Sequence, residues 1–259
     1  MNRAHEHYRE LVWMLAKTDF KLRYQGSALG YLWAILKPLL MFVILNFVFS
    51  ALFAVRGIGG EYYALQLLVA IILFNFFSEG TSAGLNSLVA KSQLVTKIYV
   101  PRWTIILAAT LNSAMIFCMN LLVIALFFVW KGFLPSMGAI LSFVFFAVAT
   151  YVLIISFSFL VAPLYVRFRD LSMIWEVLLP LLFYATPVFY PLQLLPVSIQ
   201  QTLLINPVAF IVHFTKEALA NNHYADPWQY ALFLLALIIG FFVSMVVYRA
   251  WIPKVAENI

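Results

Sequence analysis

The sequence predicts an all-α polytopic membrane protein with six membrane-spanning helices. The first observation is composition: 65% of the 259 residues are hydrophobic, 10% are charged, and the mean hydropathy is +0.98. Soluble domains carry about 25% charged residues, so a water-soluble fold of this composition would expose large apolar patches. The second observation is the length of the uncharged runs, such as residues 103–130 and 132–166. Transmembrane β-strands alternate in polarity over about ten residues, so these long runs favour helices.

Six segments are long enough for helices of about 20 residues, the length that crosses a hydrocarbon core of about 30 Å. They are predicted at residues 30–55, 62–87, 104–130, 138–163, 172–190 and 228–250. The third observation is charge placement. With a cytoplasmic N-terminus, only Arg56, Lys131 and Lys216 of the 16 Lys and Arg residues fall outside. Because Lys and Arg collect in cytoplasmic loops, both termini are predicted to be cytoplasmic, and the basic charge does not indicate nucleic-acid binding.

The chain is predicted to form one transmembrane domain over residues 1–259. Residues 1–28 hold an N-terminal amphipathic interface helix, residues 30–190 hold spans 1 to 5, residues 191–227 hold two external gate helices, and residues 228–259 hold span 6 and a cytoplasmic tail. At 100° per residue, one face of the first helix carries apolar side chains, namely Tyr8, Leu11, Val12, Leu15 and Leu22. Such a helix lies on the inner membrane surface. A cytoplasmic helix packed on a partner is the alternative.

The segment between spans 5 and 6 is apolar but is interrupted by prolines 187, 191, 196 and 207. Asn206-Pro207 is a strong helix start, and helices are expected over residues 197–204 and from 207 to about 220. Two short re-entrant helices that enter the outer leaflet fit this pattern, because non-helical backbone at that depth must face protein or a water-filled cavity. A gate is the sharper interpretation, and a packed external cap is the alternative. Aromatic residues flank Pro187, and such rings can line a path for a sugar chain: Phe183, Tyr184, Phe189 and Tyr190.

The loop between spans 2 and 3 is predicted to form a short basic helix over residues 88–97, closed by Pro101. It can dock on a partner, or it can be a loop whose basic residues only set the topology. Two acids, Glu79 and Glu176, lie inside predicted spans, where a charge is costly. A structural ion pair with Lys91, Arg167 or Arg169 is expected for them, and an ion or proton pathway is the alternative.

Several chemistries are not indicated by the sequence. No G-x-x-x-x-G-K-[ST] phosphate loop is present, so the chain is not itself a P-loop ATPase. No Ser/His/Asp arrangement points to an enzyme, and the four histidines lack zinc-site spacing. Gly80 and Gly84 are spaced for close helix contact.

Several motifs, in order along nearly the whole chain, resemble those of one known family. They are KTDFKLRYQGSALGYLW at 17–33 with LKPL at 36–39, KIYVPR at 97–102, YVRFRD at 165–170, TPVFYP at 186–191, and Asn206-Pro207. Together they resemble the polysaccharide-export ABC transporter permeases, the type 2 exporter subunits that move O-antigen, capsular or teichoic-acid polymers.

The resemblance implies a homodimer of permeases with two cytoplasmic ATP-binding subunits in the bacterial cytoplasmic membrane. ATP and Mg would be held by those partners, and this chain would bind no cofactor, no metal and no nucleic acid. The implied substrate is a glycan linked to undecaprenyl diphosphate; the motifs do not identify the polymer. An ion-coupled secondary transporter or lipid flippase, driven through Glu79 or Glu176, is the alternative, and a membrane-embedded enzyme is disfavoured.

The resemblance also assigns residues to three expected sites. The ATPase-coupling residues are Leu88, Lys91, Leu94, Lys97, Tyr99, Pro101 and Arg102. A second cytoplasmic loop carries Arg167, Arg169 and Asp170. The substrate path and gate would contain Tyr31, Trp33, Phe183, Tyr184, Pro187, Phe189, Tyr190, Asn206 and Pro207.

Overall fold

The computed structural model describes residues 2–55, 62–97 and 100–254, and this part of the chain contains helices and no strands. The all-α class is therefore confirmed. The helices are α1 (Asn2–Tyr24), α2 (Leu32–Val55), α3 (Tyr63–Ala90), α4 (Ser92–Lys97), α5 (Arg102–Lys131), α6 (Met137–Arg167), α7 (Leu171–Ala185), α8 (Val197–Leu204), α9 (Pro207–Asn221) and α10 (Pro227–Trp251). Two short 3₁₀ turns cover Leu192–Leu194 and Ile252–Lys254.

Five of the described helices are long and apolar enough to cross a membrane, namely α2, α3, α5, α6 and α10. The fifth predicted span, residues 172–190, is shorter than expected. It forms α7, whose 15 residues extend about 22 Å and end at Ala185. The physical reason is Pro187, which forces the preceding Thr186 into extended backbone at φ −98° and ψ 135°. Helices α8 and α9 meet at an angle of 112°.

The central element of the bundle is α3. In its most apolar stretch of 18 residues, 72% of the residues are buried. It packs against α2, α5, α6, α7 and α9. The closest approach is to α6, where a Cβ atom on Gly80 would come within 2.6 Å of the Ile154 side chain. A Cβ atom on Gly84 would overlap the Ser158 hydroxyl. The predicted close helix contact at these two glycines is confirmed, because only glycine leaves room for α6.

The two ends of the bundle differ in chemistry. At the basic end, the Lys91 ammonium lies 2.6 Å from the Asp19 carboxylate, and Arg102 donates to the Ile252 carbonyl at 2.7 Å. At the opposite end, the Tyr63 hydroxyl donates to the Phe189 carbonyl at 2.8 Å. The chain thus gathers α1, α4 and the end of α10 at the basic end, and α8 and α9 at the opposite end.

A proline interrupts the hydrogen bonds of α2. Pro38 has no N–H group to donate to the Ala34 carbonyl, four residues earlier in the helix. The Asn120 side chain of α5 supplies the missing donor at 3.3 Å and also donates to the Ile116 carbonyl at 2.9 Å. Asn120 is 5% exposed, so this contact joins α2 to α5 inside the bundle.

Replacing Asn120 by alanine is expected to destabilise the protein by about 1 kcal/mol, because the Ala34 carbonyl loses its donor in a buried place. The measurement is unfolding in mixed micelles at rising detergent fraction. Asn112→Ala is the matched control, since Asn112 is a second buried amide of α5 whose carbonyl oxygen has no partner in the described structure. Equal destabilisation by the two variants would contradict the role assigned to Asn120.

Candidate functional site

The chain after α7 forms a tight turn at the end opposite the basic end; residues 186–191 are called the proline turn. Thr186 and Val188 are fully buried. A turn of this kind lacks the regular hydrogen bonds of a helix, so its buried carbonyl groups need donors from elsewhere. The structure supplies these donors from two side chains.

The first is Lys216 of α9, which is 5% exposed. Its ammonium group donates to the carbonyls of Pro187 at 2.7 Å, Val188 at 3.3 Å and Tyr190 at 3.3 Å. The second is the Tyr63 hydroxyl, which donates to the Phe189 carbonyl at 2.8 Å. Four consecutive carbonyls are therefore satisfied by side chains, and a buried cation holds the turn in place.

The sequence reasoning missed the role of Lys216 and counted it only as an external charge. A usable signal was present in the sequence, since Val208, Val212 and Leu219, which share the side of α9 nearest Lys216, are apolar, and the structure buries all three. A lone cation on a buried face needs hydrogen-bond partners, because an unpaired ammonium group is costly to desolvate.

The predicted path aromatics come together around Phe189. Its ring centroid lies 5.9 Å from that of Phe183, 6.0 Å from that of Tyr184 and 5.2 Å from that of Tyr190. Phe49 of α2 adds a contact at 4.8 Å, which the sequence did not indicate because α2 is apolar on all sides. These five rings are called the aromatic cluster. A groove of about 280 Å³ runs beside them between α2 and the end of α7.

Helices α2 and α7 each present a large apolar face that no other described element covers. Phe47 of α2 is 80% exposed, and Tyr184 of α7 is 65% exposed. Glu176 is exposed on α7, and no ion pair to it occurs within the described structure. The aromatic cluster lies where these two faces meet.

Other predicted path residues lie elsewhere. Tyr31 stacks on Phe20 at 5.1 Å at the basic end, and Trp33 lies about 24 Å along α2 from Phe49. Asn206 accepts a hydrogen bond from the Val208 N–H at 3.0 Å and thereby caps α9, as its sequence predicts. Pro207 borders a separate apolar cavity of about 690 Å³ between α6, α8, α9 and α10. These four residues are therefore not part of the aromatic cluster.

At the basic end, the helix predicted over residues 88–97 is divided between the end of α3 and α4. Leu88 is fully buried within α3, which continues to Ala90, and a break at Lys91 separates α3 from α4. Leu94 of α4 packs partly against a small apolar cluster that contains Leu88. Pro101 precedes α5 in extended backbone and starts that helix. Tyr99 and the Lys97 side chain lie outside the described residues.

Two ion pairs attach α1 to α3 and to Lys91, the residue that follows α3. Lys91 pairs with Asp19 at 2.6 Å, and Arg23 pairs with Glu79 at 3.0 Å. A structural ion pair was predicted for Glu79, but the expected partners were wrong because Arg23 comes from α1. Leu22, on the apolar face predicted for α1, is exposed, as a side chain that faces lipid also is, so this face stays a prediction. The buried face turns toward the part of the helix that carries Ala16, Phe20 and Tyr24, and burial raises the pKa of the Tyr24 phenol above its ordinary value.

The loop between α6 and α7 uses its cations for contacts with aromatic rings. The Arg167 guanidinium lies 5.8 Å from the Trp251 ring centroid, and that of Arg169 lies 5.7 Å from the Tyr165 ring centroid. The expected pairing of Glu176 with either arginine is thus wrong. Asp170 precedes α7 and makes no side-chain capping bond. In the described ranges, no group of three or more His, Cys, Asp or Glu side chains is arranged to hold a metal.

Comparison with known proteins places the chain in a family. The model of the ABC-2 type transporter family matches residues 10–220. An O-antigen export system permease protein, RfbA, from Klebsiella pneumoniae is 26% identical over 237 residues, which cover 92% of this chain and 89% of the relative. RfbA from Myxococcus xanthus is 25% identical over 79% of this chain and 78% of its own length. The polysialic acid transport protein KpsM from Escherichia coli is 23% identical, with 89% of each chain covered.

Proposed function

Since this chain belongs to the ABC-2 type transporter family, we propose that it is the membrane-spanning permease subunit of an ATP-driven polysaccharide exporter. The substrate is a lipid-linked glycan of the O-antigen, capsular or teichoic-acid kind, carried on undecaprenyl diphosphate, and the location is the bacterial cytoplasmic membrane. The observation that carries the proposal is the similarity to O-antigen export permeases over 92% of the chain. The substrate class comes from those relatives and from the aromatic cluster.

The orientation follows from charge. Lys91, Arg102 and Arg167 lie together at the basic end, which therefore faces the cytoplasm. Helices α8 and α9 then lie at the outer side, where their break at Ile205-Asn206 turns the chain back. α7 is too short to cross a core of about 30 Å, so the proline turn lies below the outer surface. Backbone of this kind at membrane depth must face protein or a water-filled cavity.

The uncovered faces of α2 and α7 supply the path. Two copies of the chain associate through these faces, and the glycan passes between them. Flat aromatic rings pack against the C–H faces of sugars without holding them tightly, so the aromatic cluster suits a moving polymer. Glu176 contributes an exposed carboxylate to the α7 face, and this charge keeps the path hydrated where it passes this residue. Because the cluster lies beside the proline turn, we place the outer gate there.

The ATP-binding subunits, which hold ATP and Mg, dock at the basic end around α4. A movement of α4 reaches α3 directly, because Lys91 is the only residue between the two helices. The Asp19–Lys91 ion pair passes the same movement to α1, and α1 continues into α2 through residues 25–31. Binding of ATP thereby shifts the helix that forms one wall of the path.

Purification in mild detergent from the native host tests the proposal most simply. A subunit with a phosphate loop should co-purify with this chain in a fixed ratio. Recovery of the chain without any ATP-binding protein, under conditions that preserve its own association, would contradict the proposal.

A cysteine at Leu94 should cross-link to the ATP-binding subunit, because α4 is the proposed docking helix. The natural Cys118 is exposed and must first be replaced by serine. Ser198→Cys in α8 is the matched control, since it places an exposed cysteine at the opposite end. Cross-links from residue 94 to lipid or to the permease alone would show that α4 does not dock.

Exchanging the charges of the Asp19–Lys91 ion pair tests the coupling route. Lys91→Asp alone is expected to reduce export several-fold, because it places two acids within ion-pair distance. The double variant with Asp19→Lys should restore most of the export and leaves the net charge of the chain unchanged. The measurement is glycan export in cells at matched membrane levels of the chain. A double variant as weak as the single one would rule out a role for the pair itself.

A further inference from the structure

A second cavity at the outer side is separate from the aromatic groove. It measures about 480 Å³ and lies between the start of α3, the segment after the proline turn, and the last turns of α9. Its volume is in the range of small-molecule sites, about 300–1,000 Å³. Eight of its eleven lining residues carry a polar side-chain group, among them Tyr62, Gln66, Gln193, His213, Glu217 and Asn221.

The polar groups of this cavity are held in place by one another. The Gln193 amide donates to one oxygen of the Glu217 carboxylate at 3.0 Å, and the Asn221 amide donates to the other at 2.8 Å. The Gln66 amide donates to the Lys216 carbonyl at 3.4 Å. Each carboxylate oxygen keeps a further lone pair, and the carbonyl oxygens of the three amides remain available as acceptors.

The charge balance selects the ligand. The ammonium group of Lys216 directs its donors to the three carbonyls of the proline turn, so it has none left for a ligand. The groups around the one carboxylate include both acceptors and donors, since each of the three amides keeps a second N–H, and the Tyr62 hydroxyl and the His213 imidazole belong to the same lining. A ligand that fits must both donate and accept hydrogen bonds and carry no negative charge, and a hydroxyl-rich neutral sugar has this chemistry, because each hydroxyl does both. The Tyr62 ring at the rim, 37% exposed, offers a flat face for its C–H groups.

The cavity also touches the parts that hold the proline turn. Pro191 ends the turn and lines the cavity, and Tyr63 and Lys216 line it while bonding the carbonyls of the turn. A ligand in the cavity therefore contacts the same side chains that fix the outer gate.

We propose that this cavity is a binding site for an uncharged sugar unit of the exported glycan after it has passed the outer gate. The inference rests on the proposed function. Glu217 is the main acceptor for sugar hydroxyls, Gln66 and Gln193 add further hydrogen bonds, and acidic sugars are excluded by the carboxylate. An occupied site holds the emerging chain beside the proline turn and opposes its return.

The test is binding to the full chain in lipid nanodiscs, followed by saturation-transfer NMR. The probe is a neutral oligosaccharide released by mild acid from the host's own polymer, and glucuronic acid serves as the acidic comparison. The oligosaccharide should bind, and glucuronic acid should not. Glu217→Gln should weaken binding about tenfold, because hydrogen bonds to a charged acceptor are lost. Gln66→Met should weaken it less.

Gln201→Met is the matched control, since Gln201 is an amide at the same end that lines the other, apolar cavity. It should bind the oligosaccharide like the wild type. Absence of binding by the wild type, or unchanged binding by both Glu217→Gln and Gln66→Met, would overturn the inference. Export is measured separately: a chain that exports glycan with ATP but fails these binding tests keeps its proposed function and loses only this site.

Discussion

Replacing Lys216 by methionine should open the outer gate: export falls by more than tenfold, and the protein conducts small ions at rest. Methionine fits the space of the lysine stem but has no donors. The carbonyls of Pro187 and Val188 then stay unsatisfied in a buried place, at about 1–3 kcal/mol each, and the partly buried Tyr190 carbonyl loses its donor as well. Since the substitution also removes a costly buried charge, the net loss falls on the turn rather than on the whole fold. The chain should still reach the membrane.

Bilayer recordings of the purified protein measure the leak, and glycan export in cells measures the transport. Lys131→Met is the matched control, because Lys131 is an exposed cation at the end of α5 and should be neutral in both assays. A closed and fully active Lys216→Met protein would show that the buried cation does not hold the gate.

Shortening Phe189 and Tyr190 together to alanine should also produce a leak and weaken export. Phe189 is the centre of the aromatic cluster, and the Tyr190 hydroxyl donates to the Tyr184 carbonyl at 3.2 Å. The double variant removes the bulk that fills the end of the groove and the rings on which sugars can stack. Both effects have one cause, so they should appear together, with export reduced about tenfold.

The control for this experiment is the pair Phe241→Ala and Phe242→Ala in α10. It removes two adjacent rings that are partly or largely exposed, as at the gate, but lie away from the proline turn. Membrane level and association with the ATP-binding subunit should stay normal in both double variants. If the Phe189 and Tyr190 variant exports at the wild-type rate and conducts no ions, these rings do not form the gate.

Local signals in the sequence predicted local structure well. The limits of α8 agree with the predicted 197–204, and α9 begins at the Asn206-Pro207 signal, because capping and proline act on neighbouring residues. The end of α7 was predicted at residue 190, five residues too late. The effect of a proline on the residue before it applied here too, because Pro187 holds Thr186 in extended backbone and ends the helix. An apolar composition that continues past a helix end hides the break.

Contacts between distant segments were not predictable in the same way. The Arg23–Glu79 pair joins residues 56 positions apart, and the sequence offered several equally basic partners for Glu79. Phe49 joins the aromatic cluster from a helix that is apolar on every side, so nothing marked it. Asn120 of α5 donates a hydrogen bond to the Ala34 carbonyl, which Pro38 leaves without a donor in α2. Each of these depends on which helix faces which, and that is set by packing around α3.

The central claim is that this chain moves a glycan with energy from a partner's ATP. The direct measurement uses proteoliposomes that contain the chain, its ATP-binding subunit and a fluorescent lipid-linked glycan, with transfer across the membrane followed by an enzyme that modifies the glycan on the far side. Transfer should require ATP and Mg and should be unaffected when the proton gradient is dissipated. Transfer that continues without ATP but stops without a proton gradient, and that is lost in Glu176→Gln, would contradict the claim and identify an ion-coupled transporter.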